Sequence, residues 1–261
     1  KPCDVMIMES TYGDRDHGDM VQMDNKLEQI IKEAVENGGK IIVPSFALER
    51  TQEFIYTLHR LESQNRIPDI PVFVDSPLTV DITEVFRLHM ESFDEEFKKQ
   101  LRENGNPFDL KRIRYIRSQT ESMELNHLQE PAIIISASGM CEYGRILHHL
   151  RNNISDPRNT ILIIGFQAEY TLGRKIVEKQ PRVKILGVML ELRARVRIMN
   201  EFSAHAGRSE LIEFGSNYSN TDTQVFLVHG EPKAMQALYD GLKEKDVKNL
   251  SILKFREPVE I

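Results

Sequence analysis

The chain has 261 residues, 40% of them apolar and 28% charged, with a net charge of −6 and no tryptophan. That length buries a full core, in one large or two interlocked domains. The negative balance excludes a global pull toward nucleic acid or anionic membrane, so binding of that kind needs local basic patches. Two distant cysteines, Cys3 and Cys141, without metal-type spacing, exclude a disulfide scaffold and fit a reducing, cytoplasmic compartment. No apolar run approaches a membrane span, and no signal-peptide pattern opens the chain.

Lys1-Pro-Cys-Asp feeds at once into an apolar strand, Val5–Met8, as in a chain cut from something longer. Glu9 follows that strand, a carboxylate placed either to orient a histidine or to cap a turn. Helical periodicity over Asp16–Asn37 runs through Met23, Leu27, Ile30, Ile31 and Ala34 and stops at Gly38-Gly39. Lys40–Val43 reads as a strand, then Pro44–Ala47 turns into a helix through Phe54, Ile55 and Leu58. Arg50, in its first turn, opposes the helix dipole: either an anion lies nearby, or the side chain is solvated or paired with a carboxylate. Pro71–Val74 is the next strand, and Asp75-Ser76-Pro77 starts a helix. Residues 79–104 read as mostly helical, broken by Asn104-Gly-Asn-Pro107. Lys111, Arg112, Arg114 and Arg117 form a basic run, a solvated face or a phosphate track.

Ala132–Ile135 leads into Ser136-Ala-Ser138-Gly139-Met140 and a helix over Tyr143–Asn152. The layout recurs from Thr160–Ile164 through Gly165-Phe-Gln-Ala-Glu-Tyr170-Thr171 to a helix containing Ile176 and Val177. Strand, small-residue loop and helix start make an anion-binding geometry, and two in succession suggest a phosphate-lined cleft. Val183–Met189 and Arg193–Met199 read as strands, with Arg193, Arg195 and Arg197 on one face. His205 sits in a small-residue turn before a helix that Ser209 caps. Thr223–Val228 is a buried strand delivering His229 to its end, and a helix over Lys233–Lys243 and a strand near Ile252–Phe255 close the chain. On spacing alone the two histidines are either proton-moving or zinc-binding groups, or satisfied structural ones.

In chain order these pieces resemble the β-CASP branch of the metallo-β-lactamase superfamily. Glu9-Ser-Thr-Tyr-Gly-Asp is similar to its motif A, Phe202-Ser-Ala-His205 to motif B, and Val228-His229-Gly-Glu to motif C. Val43-Pro-Ser-Phe-Ala, Asp75-Ser-Pro-Leu, Ser136-Ala-Ser-Gly-Met and Gly165-Phe-Gln-Ala-Glu with Thr171-Leu-Gly-Arg174 resemble the signatures of the inserted cap. The resemblance implies an α/β fold: a partial αβ/βα metallo-β-lactamase domain from residues 1–13 and 196–261, with residues 14–195 as a cap of parallel sheet flanked by helices. The activity it implies is hydrolysis of RNA phosphodiester bonds at a two-zinc centre. His229 would be a zinc ligand, His205 would meet the scissile phosphate and protonate the leaving group, and Glu9 would orient His205. Ser136, Ser138, Thr171 and Arg174 would bind the nucleic-acid backbone.

The departures are as informative. The family's HxHxDH signature is absent: the histidines are 17, 59, 89, 127, 148, 149, 205 and 229. His148 and His149, neighbours on a helix about 100° apart, do not replace it. Phe166 stands where the family usually has tyrosine, and Tyr170 where glycine is common. The expectation is therefore a fragment of a nuclease whose remaining zinc ligands lie in a missing N-terminal half. The alternatives are a non-catalytic RNA-binding pseudoenzyme and a hydrolase of small phosphoesters or other esters. The partners the resemblance allows are single-stranded RNA, the missing half and a second copy in a homodimer. The half-domain is expected to expose one face of its sheet, and so to be poorly soluble alone or covered by a partner.

Overall fold

The computed structural model describes residues 3–18, 20–254 and 258. The chain divides into two compact units, Gly18–Ser203 and the pair of segments Lys1–His17 and Ala204–Ile261. Strand β1 (Val5–Glu9) belongs to the smaller unit, and everything from α1 (Met20–Glu36) to β9 (Arg195–Ile198) to the larger. The sequence-based boundary at 195/196 falls inside β9.

In the larger unit follow β2 (Ile41–Pro44), α2 (Arg50–Ser63), β3 (Val72–Val74), α3 (Pro77–Leu88), α4 (Glu95–Asn104), β4 (Ile113–Tyr115) and α5 (Gln119–Glu124). Then come β5 (Ile133–Ser136), α6 (Ile146–Asn153), β6 (Thr160–Ile163), α7 (Leu172–Val177), β7 (Arg182–Ile185), β8 (Val188–Glu191) and β9. Among the described residues, β4-β3-β5-β2-β6-β9 make one parallel sheet. Its four central strands, β3, β5, β2 and β6, are mostly apolar because both faces are covered. Ile41, Val43, Val72, Val74, Ile133 and Ile135 pack with α1, α2 and α4, whereas Ile42, Phe73, Ile134, Ile161 and Ile163 pack with α6 and α7. This is the α/β cap expected from the alternating strand and helix signals.

Several boundaries differ from the sequence reading, each for a local reason. Helix α1 starts at Met20 rather than Asp16, because the Asp16 carboxylate accepts from the Ser209 N–H and hydroxyl, both at 2.7 Å. The charged stretch 79–104 splits where Asp94, instead of continuing a helix, caps α4 by accepting from the Phe97 N–H at 2.8 Å. The run 183–189 is a hairpin, because Leu186 (φ 47°) and Gly187 (φ 82°) both adopt the left-handed conformation of a two-residue turn. Arg193 precedes β9, so only Arg195 and Arg197 share its face, bonded to Asn37 and Glu33. Phe255, in the expected last strand, lies outside the described residues.

Arg50 is buried, and its guanidinium bonds the Glu53 carboxylate and the Phe202 carbonyl, so the carboxylate-partner reading holds. In the basic run, Arg112 bonds Glu130 at 3.0 Å and Arg117 bonds Asp81 at 2.5 Å. The two ends of the larger unit meet: a Cβ on Gly18 would stand 3.1 Å from Glu201 Cγ.

In the smaller unit, α8 (Arg208–Ser216), β10 (Gln224–Val228), α9 (Pro232–Lys243) and β11 (Leu250–Ile252) complete a parallel sheet, β1-β10-β11. Met8, Val225, Leu227 and Leu250 pack against Leu211, Leu238 and Leu242 of the two helices. Ile7, pointing the other way, is 60% exposed, whereas Phe226 paired beside it is buried. Gly207, not Ser209, caps α8, and its N–H donates to Glu210 at 2.8 Å. No helix among the described residues is long and apolar enough to cross a membrane.

Candidate active site

Parallel pairing of β1 with β10 sets Glu9 beside Val228, so both strands end at the same edge of the sheet. Ligands of open parallel sheets gather at that edge. The chain turns sharply there: His229 has φ 52°, and Gly230 lies so close to Ser10 that a Cβ would stand 2.6 Å from the Ser10 carbonyl oxygen. The Ser10 hydroxyl donates to the Val228 carbonyl at 2.6 Å, fastening the two strand ends together.

His205 comes from the loop before α8. That loop is held by the Asp16 bonds to Ser209 and by His17 Nε2, 2.8 Å from the His205 carbonyl oxygen. His17 packs edge-on against Tyr12 with ring centroids 4.5 Å apart. The loop carries His205 Nδ1 to 2.9 Å from Glu9 Oε2, and the Ala206 N–H to 3.2 Å from Glu9 Oε1. Burial pushes the Glu9 carboxyl up, but hydrogen bonds from Thr11 and the neighbouring His205 outweigh it, and the net result lies below the usual glutamate range. Glu9 is therefore ionised at neutral pH and accepts only, which places a proton on His205 Nδ1.

Thr11 adds a contact that sequence reading missed. Its buried Oγ1 lies 3.0 Å from both the carbonyl oxygen and Nδ1 of His229, and 3.3 Å from His205 Nδ1. A hydroxyl has one proton, and a carbonyl can only accept, so Oγ1 donates to the carbonyl and accepts from His229 Nδ1–H. In the neutral ring this leaves the lone pair on Nε2, the atom a metal would take. Thr11 belongs to the motif Glu9-Ser-Thr-Tyr-Gly-Asp, but nothing in one sequence marks its hydroxyl for a histidine 218 positions away. Thr11→Val is expected to lower stability by about 1–2 kcal/mol and to mix the His229 tautomers, read by nitrogen-15 NMR of the neutral ring. Thr11→Ser should restore the Nδ1–H form; an unchanged spectrum in the valine variant would remove Thr11 from this role.

The structure thus gathers Glu9, His205 and His229. Ligand atoms of the three lie within 4.8 Å of one another, and the imidazole rings are 5.1 Å apart at 31°. Two imidazoles and one carboxylate are a donor set that zinc accepts. His148 and His149 stay out of it, as expected: His149 is buried on Asp75, with Nε2 at 2.6 Å.

The other four candidates lie in the larger unit, and each bonds other groups of that unit. The Ser136 hydroxyl is buried and donates to the Asp75 carbonyl at 2.7 Å. Ser138 Oγ accepts from the Glu142 N–H at 3.1 Å, closing its own loop. Thr171 caps α7, accepting from the Arg174 N–H at 3.1 Å and donating to Ala168 at 2.7 Å. Arg174 bonds Glu178 at 2.7 Å and the Gln167 carbonyl at 3.2 Å. The first loop does not open a helix directly either, since α6 begins only at Ile146. These side chains shape their loops.

The Beta-Casp domain family matches residues 51–176, and the family described as "Zn-dependent metallo-hydrolase RNA specificity domain" matches residues 189–252. The chain is 33% identical to Ribonuclease TTHA0252 of Thermus thermophilus over 99% of its own length and 58% of the relative's. It is 31% identical to the RNase J-like protein of Methanocaldococcus jannaschii, over 87% of this chain and 52% of that one. Endoribonuclease YSH1 of Candida glabrata is 30% identical, over 92% of this chain and 31% of the relative. The chain thus spans between about a third and somewhat over half of these relatives. With both domain families matched in order and the three motif residues converging at one sheet edge, the chain belongs to the β-CASP branch of the metallo-β-lactamase superfamily of nucleases.

Proposed function

We propose that the protein is a zinc-dependent hydrolase of RNA phosphodiester bonds, to which this chain contributes Glu9, His205 and His229. The convergence of these three groups carries the reading: a carboxylate, a histidine oriented by it, and a second histidine presenting Nε2. Zinc, when bound, supplies Lewis acidity toward the phosphate and activates water. His229 would hold it through Nε2. Glu9 fixes the His205 ring by accepting from Nδ1, so that Nε2 can carry a proton to the departing oxygen. His229 alone is too little for two ions, and the resemblance assigns the remaining ligands to the HxHxDH segment. The names of the relatives, ribonuclease and endoribonuclease among them, support RNA as substrate. Two free cysteines fit a reducing, cytoplasmic setting.

The test is zinc per chain, measured on the 261-residue chain and on the complete product of its gene, beside cleavage of a labelled RNA. About two zinc ions and cleavage only in the complete product support the reading. A complete product that binds RNA without zinc or cleavage would replace it with the pseudoenzyme. Hydrolysis of small phosphoesters without RNA cleavage would replace it with the small-ester enzyme.

A further inference from the structure

Strands β2, β5 and β6 are parallel, with β2 between the other two, so the loops that follow them leave the same edge of the larger unit. After β2 the chain turns to the face covered by α2, and after β5 to the face covered by α6. Parallel sheets bind ligands where successive connections diverge in this way. The loops are fastened to each other. Gln167 Nε2 donates to the Gly139 carbonyl at 3.0 Å, the Leu172 N–H to Glu142 Oε1 at 2.6 Å, and the Gly173 N–H to the Met140 carbonyl at 3.1 Å. The Phe46 ring lies across Gly139, where a Cβ would stand 2.7 Å from Cδ2.

On this fixed base three aromatic side chains face water: Tyr170 is 91% exposed, Tyr143 68% and Phe46 40%. Among the described residues, neither tyrosine ring has a stacking or cation partner. Tyr170 also has φ 69°, a conformation that disfavours every residue with a Cβ and suits glycine. Among the described residues, the most exposed large ring thus stands on an unfavourable backbone, with no stacking or cation partner to offset either cost. A conformation of that kind, on a loop that is otherwise tightly bonded, points to a ligand.

We propose that Tyr170, with Tyr143 and Phe46, forms a stacking platform for unpaired bases of single-stranded RNA. Exposed rings on rigid loops receive bases through their faces, tolerate any base, and need no basic stripe in a chain of net charge −6. The inference rests on the RNA reading above and names residues other than the serines, which bond within the unit.

The test is fluorescence anisotropy of the 261-residue chain with a labelled oligouridine and with an abasic strand of equal length. Tyr170→Gly is expected to weaken oligouridine binding about tenfold, to leave abasic binding unchanged, and not to lower the melting temperature. Tyr170→Phe should bind as the parent does. If the parent prefers oligouridine but Tyr170→Gly binds it equally well, the platform is wrong and the RNA reading stands. If the parent binds both strands equally, stacking is wrong. If it binds neither, the platform is wrong, and the RNA reading is decided on the complete product as above.

Discussion

Replacing Asp75 with asparagine is expected to lower the unfolding free energy of the larger unit by about 3–5 kcal/mol. Asp75 is fully buried, and its carboxylate receives three side chains: Ser122 Oγ at 2.5 Å, His149 Nε2 at 2.6 Å and Arg145 at 2.7 Å. Asparagine keeps one acceptor but turns an amide N–H₂ toward donors, leaving the Arg145 charge uncompensated beside a buried orphan. Burial alone would push the Asp75 carboxyl up. Hydrogen bonds from His149, Ser122 and Arg145 reverse that, and the group lies below the ordinary aspartate range. A folded-state value below the unfolded one stabilises the fold above the unfolded pKa, about 3.9, and that contribution is lost as pH falls through the folded value. Denaturant melts at neutral pH and below about pH 4 should show a parent that weakens in acid and a variant that has already lost that part. A neutral-pH difference under about 1 kcal/mol would mean that the network is solvated rather than buried.

The second large effect concerns chemistry. In the complete, zinc-loaded protein, His205→Ala should slow RNA cleavage by about 10²–10⁴-fold, the usual range for a lost general acid, while zinc content stays at the parent level. His229→Ala should lose zinc as well as activity. The contrast follows from geometry: His205 is bonded to Glu9 through Nδ1, whereas His229 is held by Thr11 with Nε2 left for a metal. Glu9→Gln should fall between parent and His205→Ala, because an amide still positions the ring but no longer holds the Nδ1 proton by charge. Equal zinc loss in the His205 and His229 variants would make both residues ligands and remove the division of labour.

Much of this architecture was written in the sequence. The strands at 41–44, 133–136 and 160–163 are built on the apolar runs 41–43, 133–135 and 161–163, which a sheet covered on both faces requires. His229 was placed correctly at the end of its strand, because a β-branched run stops there. Less legible was the hairpin at Leu186-Gly187: a leucine in a left-handed turn position hides a signal that asparagine or aspartate normally gives. The pairing of Asp75 with His149 was also out of reach, since the residues are 74 positions apart and each satisfies a local reading, one as a turn and the other as a helical histidine. Tyr170 is the reverse case. Its departure from a common glycine was visible, but only the backbone angle shows that the position resists a side chain.

The order in which the chain is made acquires meaning from the pairing of β1 with β10. Met6 lies opposite Val225, so the ribosome releases β1 long before its neighbour β10 exists. Closing so long a loop of unfolded chain costs entropy that grows with the logarithm of its length, about 0.6 kcal/mol for each doubling. The segment between Gly18 and Ser203 carries its own core and can condense first. Because Gly18 then lies against Glu201, that condensation brings the two outgoing chain ends together and converts a distant search into a local one. The Glu9–His205–His229 cluster, whose members lie on either side of that segment in the chain, would thus be completed late in synthesis.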